Sequence, residues 1–133
     1  MAPTREIKLA DNLKHVPAGV RPTVQAAIRT VKEAAPSASE IAYQSKQPTS
    51  KSAMWKLARY ASGGANVVGI GTFADHATLY FYRGTELDDG TGLLQGGGKE
   101  MRFITLRQPA DAGRPAVKSL VKKAFRIAGT ASR

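Results

Sequence analysis

Ala77-Thr-Leu-Tyr-Phe-Tyr-Arg83 (ATLYFYR) alternates without a break, with Ala77, Leu79 and Phe81 on one side and Thr78, Tyr80 and Tyr82 on the other. Period-two alternation in a run rich in aromatic residues is the signature of a β-strand, here over 77–83. Ala74-Asp-His76 just before it reads as a turn. Asn66 to Phe73 (NVVGIGTF), short, β-branched and punctuated by glycine, reads as a second strand over 66–73. Gly63-Gly64 stands at hairpin distance ahead of that run, so Met54 to Tyr60 is a third strand, 54–60. Strands joined by such short turns must be antiparallel. On the other side, Gly84 to Gly98 is a loop with a turn at Asp88-Asp89-Gly90, pinned to the core by Leu93 and Leu94. It leads to a fourth strand over 101–106 (MRFITL).

The flanks carry a different period. Val20, Val24, Ala27, Ile28 and Val31 recur at helical spacing, with Pro22 suited to the first turn and Pro36 as a stop, which predicts a helix over 22–34. Val117, Leu120, Val121, Ala124, Phe125 and Ala128 predict another over 115–128, with Lys118, Lys122, Lys123 and Arg126 opposite. Ser37-Ala-Ser-Glu40 has capping-box spacing and predicts a short helix over 38–44, followed by a polar surface loop to Ser52. Residues 1–20 read as an arm, poorly ordered or docking, ahead of a single domain over 21–133. Each long helix has one apolar stripe to bury, and one face of the sheet needs cover. The expected fold is therefore α+β, a two-layer sandwich of about four antiparallel strands under two helices.

The chain has 133 residues and no cysteine, which excludes disulfides, zinc ribbons, Fe–S ligation and thiol catalysis. No apolar run approaches the roughly 18 residues of a membrane span, so a cytoplasmic protein with no membrane partner is expected. The net charge of +10 favours anionic partners. It is divided as +6 over residues 1–60, −1 over 61–107 and +5 over 108–133, so the ends are basic and the middle nearly neutral.

Several motifs invite chemistry. Gly69-Ile-Gly71-Thr-Phe-Ala74 matches a dinucleotide fingerprint in letters, but a turn and a strand follow where the pyrophosphate-binding helix should open. The two glycines instead leave a flat strip on their strand, which a helix is expected to cover. Gly96-Gly-Gly98-Lys99-Glu100 lacks the first glycine and the Ser/Thr of a phosphate loop, leaving an anion-binding nest with Lys99 or a plain loop. Glu86, Asp88 and Asp89 with His76 offer oxygen and imidazole ligands to a cation, or simple turn chemistry. His76 itself either bonds the turn backbone or meets a ligand. Arg102 shares a strand face with Ile104 and Leu106, so its charge needs Glu86, Asp88 or Glu100 as partner, or an anionic ligand. Trp55, Tyr60, Tyr80 and Tyr82 suit core packing or a subunit interface, with a stacking platform for single-stranded nucleic acid as the other reading.

The stretch from about 35 to 128 resembles the YdhG-like family, a bacterial domain of unknown function whose members include frataxin-like iron chaperones. The residues that carry the resemblance are Phe73-x-x-His76-x-x-Leu79-x-Phe81, Arg83-Gly84-x-x-Leu87-Asp88-Asp89-x-x-Gly92-Leu93-Leu94, Gly96-x-Gly98-Lys99-x-Met101-Arg102-Phe103, and Leu106-Arg107. The resemblance implies a compact α+β sandwich with His76, Lys99 and Arg102 at family-typical positions. It also implies, as an alternative function, iron carriage, for which His76, Glu86, Asp88 and Asp89 are the candidate ligands. The expected function is a non-catalytic binding module without a resident cofactor. It would accept a small anion or a protein partner near Gly98, Lys99, Arg102 and Arg83, and would self-associate into a homo-oligomer. Nonspecific nucleic-acid binding through the basic ends is the third reading.

Overall fold

In the computed structural model, which describes residues 7–50, 52–87 and 92–130, the alternating run of residues 77–81 is the strand β4 (Ala77–Phe81). Its neighbours in the chain are β1 (Ser39–Ala42), β2 (Trp55–Ser62), β3 (Ala65–Thr72) and β5 (Arg102–Leu106). The five strands form one sheet in the order β1-β2-β3-β4-β5, with every pair antiparallel. The helices are α1 (Leu9–Leu13), α2 (Arg21–Ala34), α3 (Pro109–Ala112) and α4 (Pro115–Thr130). The fold is thus the α+β class read from the chain, with five strands in place of about four.

The fifth strand is a correction. Residues 39–42 pair with 58–61 rather than coiling into the helix expected over 38–44. Glu40 lies opposite Tyr60, and its Oε2 accepts the Tyr60 hydroxyl at 2.7 Å. The carboxylate that a capping box would turn back to the chain is drawn across the sheet instead. Pairing also covers the edge of β2, which would otherwise expose a row of unsatisfied backbone groups.

Register decides which side chains share a face. Ala77, Leu79 and Phe81 align with Thr72, Ile70 and Val68 of β3, and with Leu106, Ile104 and Arg102 of β5. On this face the sheet meets Val24, Ala27 and Val31 of α2 and Val117, Leu120 and Val121 of α4, all in one buried cluster. Most residues of the helical stripes predicted by periodicity are buried, while Ile28, Phe125 and Ala128 are partly buried at the margin of the core. Thr30 ties the helical layer together, its hydroxyl donating to the Ala112 carbonyl at 2.8 Å. Residues 7–20 lie against this body: Val16 and Val20 belong to the core, and the Asn12 amide donates to the Tyr43 carbonyl at 3.3 Å.

On the opposite face, among the described residues, Tyr80 and Met54 cover the glycine strip in place of the expected helix. The ring of Tyr80 lies directly on Gly69, where a methyl group would fall inside it, and Met54 Sδ sits 2.8 Å from the place a Cβ on Gly71 would occupy. The reason is register: Gly69 is opposite Tyr80, so the bulky residue of one strand occupies the space left by its neighbour. Accordingly Gly69→Ala should destabilise the protein by about 1–3 kcal/mol through overpacking. Gly97→Ala, at a position where a Cβ meets nothing within 4 Å, should be near neutral; urea denaturation of the two variants measures the contrast.

Candidate functional site

The residues singled out in the sequence fall into two groups. Arg83, Gly98, Lys99 and Arg102 come together beyond the end of β4, where the 3₁₀ turn Gly84–Glu86 packs on residues 98–102. Thr85 N–H donates to the Glu100 carbonyl there at 2.9 Å. Arg102 stands on the face of Ile104 and Leu106, and its stem crosses Gly84. Its guanidinium does not meet Glu86 or Glu100. Among the described residues its Nη1 donates to the carbonyls of Gly98 at 2.6 Å and Met101 at 2.8 Å. Glu86 is engaged by Arg83, whose Nε donates at 2.6 Å and whose Nη2 completes a bidentate pair. This pair holds the Arg83 pKa above its ordinary value. Lys99 is exposed.

His76 is at the other end of β4. A five-residue strand, roughly 16 Å of extended chain, separates it from the turn that bears Glu86. Its Nδ1 is 2.7 Å from Asp75 Oδ1, and its ring stacks on Phe73 at 4.5 Å. The side chain therefore bonds a turn side chain rather than the turn backbone, and the His76 bond lowers the Asp75 pKa. Asp88 and Asp89 lie outside the described residues. Among the described residues no three of His, Cys, Asp and Glu gather as a metal site.

A third constellation was not read from the sequence. The aromatic set Trp55, Tyr60, Tyr80 and Tyr82 divides between the two faces: Trp55 and Tyr60 join the core under the helices, while Tyr80 lies on the opposite side. There Tyr80 meets Tyr82, ring centroids 5.7 Å apart, and a newcomer, Tyr43, just past the end of β1. Tyr80 donates its hydroxyl proton to Tyr43 Oη at 3.3 Å, and the Tyr43 and Tyr82 hydroxyls are 2.5 Å apart. The guanidinium carbon of Arg59 lies 5.1 Å from the Tyr43 ring centroid and Lys56 Nζ lies 5.7 Å from it, both within cation–π range. Neither cation has a carboxylate partner among the described residues. β2 places both here, because Lys56 pairs with Gly71 and Arg59 with Gly69.

No family model, curated protein or solved structure matches the chain.

The Tyr80–Tyr43 and Tyr43–Tyr82 hydrogen bonds join the three phenols, and Tyr80 and Tyr82 also lie side by side. Burial first, then the Tyr43 hydrogen bond, pushes Tyr82 up to about 12. Burial likewise drives Tyr80 well above the usual phenol range. Tyr60 is raised by burial and by its bond to Glu40. These phenols are hydrogen-bond donors at any physiological pH.

Beside the triad runs an apolar groove of about 400 Å³, lined by Met54, Phe73, His76, Tyr80, Met101 and Phe103 with the Thr78 and Thr105 side chains. Among the described residues Met101 and Phe103 are the exposed large hydrophobic ones, at 39% and 36% of full exposure. Reading residues 39–43 with period two instead of 3.6 puts Ile41 and Tyr43 on one face of a strand; that Ile41 then lies opposite Arg59 is set by the β1–β2 register.

The raised phenols link stability to alkaline pH. An unfolded chain loses tyrosine protons near pH 10, before the folded one does. The stabilisation is complete below that pH; the part due to Tyr82 is lost as pH rises from about 10 through 12, and the parts due to Tyr60 and Tyr80 are lost at still higher pH. We expect absorbance titration to leave Tyr60, Tyr80 and Tyr82 protonated at about pH 11 in the folded protein, and all tyrosines to ionise near pH 10 in urea.

Proposed function

We propose that this protein is a non-catalytic binding module, kin to the YdhG-like domains that its stretch from about 35 to 128 resembles, and that it holds an anionic group on the helix-free face of its sheet. The carrying observation is the Tyr43–Tyr82 phenol pair with Arg59 and Lys56 over the Tyr43 ring, two cations that have no carboxylate partner among the described residues. An anion placed there would accept a hydrogen bond from the phenol and charge-assisted bonds from Arg59 and Lys56, the combination in which hydrogen bonds are strongest. The surplus charge of +10 would draw such a ligand in at long range.

The Arg102 region is the alternative location for a small anion, with exposed Lys99 beside it. Iron carriage, the other function suggested by the family resemblance, would have to draw on His76 and Glu86 from opposite ends of β4. Anion binding in the basic helical layer, at Lys118 and Lys122, is the third possibility.

Calorimetry with inorganic pyrophosphate at low ionic strength separates these locations. Arg59→Ala should weaken binding roughly tenfold, as expected for removing a charged hydrogen bond, and Tyr82→Phe by a smaller factor. Arg102→Ala and the Lys118→Ala/Lys122→Ala pair should leave the affinity within about twofold. If Arg102→Ala abolishes binding while Arg59→Ala does not, the anion belongs at Arg102 and this assignment is wrong.

A further inference from the structure

The anion site and the apolar groove share one residue. Tyr80 gives its hydroxyl to the phenol triad and its ring to the groove, although it is itself only 1% exposed. A ligand lying along this face would therefore meet cations and a phenolic donor on the β2 side. On the β4–β5 side it would meet flat apolar surface. The centres of these two regions are two strand spacings apart, about 10 Å.

The groove walls are suited to flat rings. Phe103 stands up from β5 with its ring accessible, and the Phe73–His76 pair presents a second π surface, its two rings inclined by 20°. A volume of about 400 Å³ is within the range of small-molecule sites of about 300–1,000 Å³ and is too small for a helix. The lining is almost entirely carbon and sulfur, so shape and stacking, not hydrogen-bond readout, would govern what enters.

Resting on the anion site proposed above, we infer that the ligand of this face is single-stranded nucleic acid, with a backbone phosphate at Arg59, Lys56 and the Tyr43–Tyr82 pair and an adjacent base stacked in the Phe103 groove. Charge complementarity favours a polyanion over an isolated phosphorylated molecule. The chain carries +10. Stacking of bases on aromatic side chains beside a cationic track is the general mode of sequence-tolerant single-strand binding.

The test uses fluorescence anisotropy of the full chain with three labelled probes: an oligothymidylate of about twelve nucleotides, an abasic strand of the same length and charge, and thymidine monophosphate. The oligothymidylate should bind roughly tenfold more tightly than the abasic strand, the increment expected from base stacking. Phe103→Ala should remove that difference without changing the abasic affinity, and Phe103→Trp should restore it. Arg59→Ala should weaken both strands alike and reduce the slope of log affinity against log salt by about 0.7.

Equal affinities for the two strands, or a Phe103→Ala protein that still distinguishes them, would overturn the inference. The pyrophosphate titration would still stand or fall on its own, because it involves no base. Mononucleotide binding as tight as that of the strand would overturn the polymer assignment.

Discussion

The ring of Tyr80 resting on the bare backbone of Gly69 is the contact on which the helix-free face depends. It occurs at the middle of the sheet, where β3 and β4 pair with Ile70 against Leu79 and Val68 against Phe81 on the other side. One register thus does two things. It aligns the aliphatic rows that α2 and α4 cover, and it places an aromatic ring on the only kind of residue that permits such an approach. Slipping the pairing by one residue would turn Leu79 and Phe81 to solvent and drive Tyr80 into the helices. The tyrosine then reaches across β3 to Tyr43, so the strand added at the sheet edge is held by its phenol as well as by its ladder.

Charge is organised by this geometry in a way that segment totals conceal. Lys56 and Arg59 belong to the basic first half of the chain, yet pairing with β3 sets them on the same face as residues of the nearly neutral middle. Other cations of the ends decorate the helical layer, where Lys118 pairs with Glu33 at 3.3 Å and Lys32 with Glu40 at 3.7 Å. Exposed pairs of that kind contribute little to stability. The cations over Tyr43 differ in having a ring as neighbour and, among the described residues, no carboxylate.

Arg102 illustrates how a correct local reading can miss the local outcome. Alternation puts it beside Ile104 and Leu106, and register confirms that face. But it is the first residue of β5, so its long stem can cross Gly84 and carry the guanidinium out to two loop carbonyls. Arginine commonly buries its stem while its head finds polar company elsewhere. A backbone carbonyl cannot be identified as a partner from residue types, whereas a carboxylate such as Glu86, Asp88 or Glu100 can.

Periodicity alone determined most of the frame: two amphipathic helices, a central antiparallel meander, and which side chains of 77–81 share a face. Those features are local, because a stripe of apolar residues must be buried whatever it meets. The edge strand was not local. Ser37 to Glu40 satisfies a helix cap in isolation, and only the Tyr60 hydroxyl and the open edge of β2 make the extended form better. Tyr43, Arg59 and Tyr82 are far apart in the chain and meet solely because three strands and a glycine bring them within reach. Tertiary structure therefore decided the site, since hydrogen bonds and cation–π contacts between distant residues depend on register, and register is a property of the whole sheet.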